Sequence, residues 1–103
     1  MNTQGWQRGL MAKNMENEKH LRFVVNCLER EFEVETKVNK QGKEYLIKFM
    51  DYEIKLDEVE VKKLQARGSY VLDKFILERL KNKGSVFDVN RSQLMQYCYG
   101  IYQ

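Results

Sequence analysis

The chain has no proline, one histidine and two cysteines among its 103 residues. Without proline, nothing in the sequence forces a helix kink or a polyproline segment. Two cysteines, Cys27 and Cys98, are too few for a disulfide framework, and no hydrophobic signal stretch opens the chain, so a reducing, cytoplasmic setting is expected. No apolar run is long enough to span a bilayer, so no membrane partner is expected. Also missing are a phosphate-binding glycine loop, zinc-type cysteine spacing, an HExxH helix and a nucleophile elbow. These absences set the first functional expectation: not an enzyme, with no catalytic, metal-binding or cofactor-binding residue, no cofactor and no small-molecule substrate.

What is present suits one small domain. Hydrophobic residues make up 43% and charged residues 32% of the chain, enough apolar matter for a core. The composition is rich in Lys, Asn and Glu, as is common in low-GC bacteria and their phages. Residues 1–15 show no stable periodicity and carry Gly5 and Gly9, which predicts a flexible tail. Its functional reading is a short anchor built on Trp6 and Leu10, and Met11 and Met15 stand as alternative starts. Residues 16–103 are expected to form the single domain.

Leu21, Val24, Val25, Leu28 and Phe32 recur at helical spacing and predict an amphipathic helix over about 17–31. Val34, Thr36 and Val38 then alternate with charged residues, as in a half-buried strand. The turn residues Asn39-Lys40-Gln41-Gly42 follow. Further on, Tyr45, Ile47 and Phe49 share one parity, while Tyr52, Ile54 and Leu56 share the other. One regular strand would place these sets on opposite faces. A turn at Met50-Asp51 resolves the conflict and gives antiparallel strands at about 33–38, 43–49 and 52–56; one long bent strand is the alternative.

Asp57 and Glu60 have capping-box spacing and open a helix running towards Arg67-Gly68. Ser69 is placed to cap a second helix ending at Gly84, unless the Gly68-Ser69 pair only bends one long helix. Asn90 with Gln93 is placed to cap a last one. The expected fold is therefore α+β: an N-terminal helix, a three-stranded antiparallel sheet, then two or three C-terminal helices packed on one sheet face. This element order resembles the double-stranded-RNA-binding domains in outline. The lysine-rich helix start of that fold is absent, so no functional residue carries over.

The only histidine, His20, and Cys27 are seven residues apart. On one helix that is about 10.5 Å along the axis at 1.5 Å per residue. A thiolate–imidazolium pair needs about 3 Å. Buried, inert cysteines are the ordinary alternative. Acidic residues crowd the hairpins (Glu33, Glu35, Glu44, Asp51, Glu53), but no spacing singles out a working pair.

Charge is more informative. Residues 41–60 hold three basic and six acidic groups, whereas residues 61–84 hold seven basic groups against Asp73 and Glu78. A basic helical face of Lys62, Lys63, Arg67, Lys74, Lys81 and Lys83, with Tyr70 to stack, would bind nucleic acid through phosphates. The plainer reading is a solvated face, with cations favoured near helix C-termini. Arg79 falls inside the apolar arc of Leu72, Phe75 and Ile76. It either snorkels outward, pairs with a buried carboxylate or anchors a partner.

The chain ends on QLMQYCYGIYQ, uncharged and rich in tyrosine. On a helical wheel Leu94, Tyr97, Cys98 and Ile101 make one apolar face, and Met95, Tyr99 and Tyr102 make another. Leu94 and Cys98 are expected in the core. A helix wedged between the sheet and the 70–82 helix and fully buried is the plainer reading; docking through the second face is the other. An alternating strand is not excluded by the pattern. Two functions follow. The first is a small non-catalytic interaction module (a regulator, inhibitor or adaptor) that docks on a protein or on itself as a homodimer through Met95, Tyr99, Tyr102 and Arg79. The alternative is a nucleic-acid-binding domain using the basic helices at 61–84.

Overall fold

The computed structural model describes residues 3–101, with side chains from residue 5 onward. Eight elements follow one another. These are α1 (Thr3–Asn14), α2 (Asn17–Phe32), β1 (Thr36–Gln41), β2 (Glu44–Phe49), β3 (Tyr52–Asp57), α3 (Glu58–Ala66), α4 (Val71–Asn82) and α5 (Gln93–Cys98). The fold is α+β, with an antiparallel sheet of order β1-β2-β3 and helices before and after it.

The parity conflict is resolved by a turn. Phe49 pairs with Tyr52 across Met50-Asp51, and Met50 takes a left-handed φ of 51°. The turn sets Ile47 opposite Ile54 and Tyr45 opposite Leu56, so both apolar sets reach the same face. That face is buried, and Leu21, Val25 and Leu28 of α2 join it in one core with Leu72, Ile76 and Leu77 of α4. The outer face carries charge, including a 3.5 Å cross-strand pair between Lys48 and Glu53.

β1 lies three residues later than expected. Glu33 takes φ 53° as the left-handed exit from α2, and the Val34 N–H bonds back to the Glu29 carbonyl at 3.2 Å. Residues 33–35 are thus spent leaving the helix, and the strand runs on to a tight turn at Gly42-Lys43.

The Asp57–Glu60 capping box forms, with the Glu60 N–H donating to Asp57 Oδ1 at 2.7 Å. Gly68, at φ 135°, separates α3 from α4, so these are two helices. Ser69 does not cap α4; Tyr70 sits at that position in a left-handed conformation with no side-chain cap. Ser92, not Asn90, caps α5 by accepting from the Met95 N–H at 3.1 Å. The final stretch is therefore helical as far as Cys98, and it ends at Gly100, φ 68°.

The largest departure is at the start. The segment expected to be a loose tail is a 12-residue helix, α1, docked against the body with Arg8 and Ala12 buried. A two-residue link, Met15-Glu16, joins it to α2.

Candidate functional site

Helix α1 has little apolar content on the side it buries. Arg8 and Ala12, one turn apart, face inward, and Gly9 lets the helix come close to Ser69: a Cβ there would lie 3.3 Å from the Ser69 hydroxyl. Polar contacts anchor it. The Arg8 guanidinium donates from Nη2 to Asp73 Oδ2, with the two side chains 4% and 0% exposed. The same guanidinium lies 4.5 Å from the Tyr70 ring centroid and 5.2 Å from that of Phe23. Sequence separation hides this pair, since the partners are 65 residues apart.

A second anchor sits at the end of α1. The buried Gln65 amide donates from Nε2 to the Ala12 carbonyl at 2.9 Å and to the Met15 carbonyl at 2.7 Å, satisfying two carbonyls left open where the helix stops. Its Oε1 accepts from Asn17 Nδ2 at 2.8 Å. One glutamine from α3 thus clamps both sides of the link.

Around Arg8 the interior is unusually polar. Among the described residues, Arg8 Nη1, His20 Nδ1, Tyr70 Oη and Asp73 Oδ1 are buried without a hydrogen-bond partner. Each such atom carries a desolvation cost. Burial, aided by the positive Arg8, pushes His20 down to about 4, so the imidazole is neutral at pH 7. Burial raises Tyr70 to about 12 and pushes the Asp73 carboxyl above the usual carboxylate range, with Arg8 pulling the latter back. The Cys27 and Cys98 thiols are both pushed up by burial, which removes thiolate and with it nucleophilic reactivity at neutral pH. What this cluster does chemically is hold a helix by charge.

On its other side α1 exposes Trp6, 57% accessible, and Leu10, 40% accessible, one turn apart. Trp6 also lines a cleft of about 540 Å³ with Tyr70, Lys74, Tyr97 and Tyr99. Gly100 also lines that cleft, and Ile101, the next residue, is exposed.

The residues expected to bind a partner do not form one face. Met95 is completely buried in the core, one turn from the buried Cys98, and this corrects the expectation that it faces outward. The core takes a member of each apolar arc of the final stretch, Cys98 of one and Met95 of the other. Tyr99 is half-buried and its hydroxyl donates to Glu78 Oε2 at 2.7 Å; Tyr102 lies outside the described residues. Leu94 is only partly buried. Arg79 is half-exposed with its guanidinium 4.9 Å from the Phe75 ring centroid, the outward-snorkelling arrangement.

Of the residues in the nucleic-acid reading, Lys62, Lys63, Arg67, Lys74, Lys81 and Lys83 are all exposed. Tyr70 is buried beneath Arg8 and offers no exposed ring for stacking, a second correction. Among the described residues no cluster of three His, Cys, Asp or Glu side chains is placed to hold a metal, and no helix is long and apolar enough to cross a membrane. No protein-family model matches the chain, and no curated protein or solved structure matches it either.

Proposed function

We propose that this protein is a small non-catalytic interaction module that docks on a protein partner through the outer face of α1. The observation that carries this reading is the exposed Trp6–Leu10 pair, standing on a helix whose opposite side is fixed by Arg8 and Gln65. A tryptophan held on a rigid helix gives large contact area at low entropic cost, which is why this residue recurs in binding hot spots. The adjoining cleft, rimmed by Tyr97 and Tyr99, offers aromatic walls to a side chain inserted from the partner. Replacing Trp6 and Leu10 together by serine tests the proposal. The variant should keep its circular dichroism and melting temperature while losing a partner that the wild-type chain captures. An unchanged set of captured proteins would refute it.

A second reading has its own observation. Among the described residues, none of the six exposed basic side chains named above takes part in an ion pair, which leaves them available to phosphates. Binding to mixed-sequence DNA or RNA that weakens steeply with salt would favour this reading. No binding at low salt ends it.

A further inference from the structure

We infer that α1 is an exchangeable element, and that two copies of this chain form a dimer by swapping it, each Arg8 pairing with the partner copy's Asp73. Four observations converge on this. First, the link between α1 and α2 is two residues long, and short hinges favour exchange between copies over a relaxed turn. Second, of the two dihedrals of Glu16 in the link, only ψ departs from helical values. Glu16 already has a helical φ of −59°, and its ψ of 150° breaks the run; neither glycine nor proline occupies the link. Opened there, α1 and α2 become one helix from residue 3 to residue 32, about 45 Å long at 1.5 Å per residue.

Third, departure of α1 uncovers a groove built to receive it. Asp73 is fully buried beneath α1 and its cation comes from α1, so an open monomer gives up that ion pair and exposes Asp73 to water, whereas a docked helix restores the pair. The groove requires a helix with an arginine at the Arg8 position, approaching closely over a residue without a side chain, as Gly9 does over Ser69. A second copy supplies all of this at once. Fourth, open clefts border the anchored helix. Clefts of about 440 and 560 Å³ flank it on two sides, one lined by Met11 and Phe23, the other by Gly9 and Gly68. Its grip is polar, through Arg8 and Gln65, rather than an interlocking apolar seam.

The closed monomer and the swapped dimer share the contacts of the groove and differ at the hinge. In the monomer Gln65 caps the Ala12 and Met15 carbonyls; in the dimer those carbonyls receive backbone N–H groups of the continued helix. Gln65 therefore acts as the latch that favours closure, and protein concentration favours exchange.

The test uses light scattering on the full chain across concentration, with one substitution that admits only the closed form. Asn17→Pro suits the first turn of α2, and Glu16 is already extended, as the residue before a proline prefers. In a continuous helix the same proline would lie in the interior of both swapped chains and should lower the association constant by about ten-thousandfold. Asn17→Ala removes the same side-chain bond to Gln65 without blocking the helix, so it should keep or raise the dimer fraction. Gln65→Leu should raise it further. A dimer that persists undiminished in Asn17→Pro overturns the swap, as does a wild-type chain that is monomeric up to millimolar concentration. Mixed Gly9→Cys and Ser69→Cys chains then locate the contact, since a 9–69 disulfide between chains requires α1 of one copy in the groove of the other. The same link within a Gly9→Cys/Ser69→Cys double variant validates its geometry. Loss of the interchain link beside an intact intrachain one overturns the proposal. Neither Trp6 nor Leu10 enters these readouts, so failure here leaves the outer docking face untouched.

Discussion

Helix α2 is gripped from two sides in opposite ways. On its sheet side Leu21, Val25 and Leu28 share one apolar core with Ile47, Phe49 and Ile54. On its other side Phe23, His20 and Cys27 border the buried arginine of α1 and its carboxylate. The first contact is non-directional and scales with buried area, so any apolar residue of suitable volume serves it. The second depends on individual atoms meeting individual partners, and it fails if either member is absent. A region held in the first way specifies a fold; one held in the second way specifies which helix lies in a groove.

The sharpest way to test that division is to damage each side in turn. Phe49→Ala removes a completely buried ring and should cost about 3–5 kcal/mol, unfolding the molecule as one unit. Denaturant titration should show a lower midpoint with unchanged slope. Arg8→Met should cost about 3 kcal/mol or slightly more, because Asp73 stays buried without its cation. The contrast lies in the rescue. Arg8→Met with Asp73→Leu should recover most of that loss, since an apolar pair of similar volume avoids the desolvation of both charges. No second substitution should rescue Phe49→Ala so simply. If the double variant is as unstable as Arg8→Met alone, the polar side is held by packing and the comparison collapses.

Acid should loosen the two sides unequally. His20 sits at about 4 in the folded chain against an ordinary value of 6.5, chiefly because burial disfavours its charged form. The unfolded chain therefore takes up the proton first as the pH falls. Stability present above pH 6.5 should drain away towards pH 4, by up to about 3 kcal/mol at 1.36 kcal/mol per unit. His20→Gln should flatten this part of the curve, as read from melting temperature at stepped pH. An identical slope in the variant would show that the polar side does not sense the proton.

The same division explains what the sequence disclosed. The sheet, α2 and the opening of α3 were legible because their signals are local: helical spacing, the parity change at Met50-Asp51 and the Asp57–Glu60 box. Helix α1 was not, because its inward face holds Arg8 and Ala12 rather than an apolar stripe, and its anchors Asp73 and Gln65 lie far along the chain. Without its partner a lone arginine near an N-terminus reads as solvated. The start of β1 was misplaced for a related reason. Glu33 takes a left-handed conformation that its side chain does not advertise, whereas Gly100 signals the same kind of ending openly. Of the candidate residues, Trp6 and Leu10 are exposed as the sequence suggests, whereas the burial of Met95 was not legible, because a wheel gives direction without saying what lies there.

The smallest effect concerns the link where the two modes meet. Asp57 closes the sheet side with a complete capping box, yet Glu16, at the equivalent position before α2, makes no side-chain cap. Its dihedrals of −59° and 150° are already those of a capping residue, so only the side chain is wrong. Glu16→Ser should accept from an open N–H of the first turn and stabilise the closed molecule by about 0.5–1 kcal/mol. The gain is modest, but it applies only while ψ of residue 16 stays extended. In a continuous helix the serine would have no cap to make and would slightly disfavour the run. One substitution should therefore raise the melting temperature of the monomer and lower the dimer fraction together. A rise in the first without a fall in the second would mean that the link is a fixed corner, not a hinge.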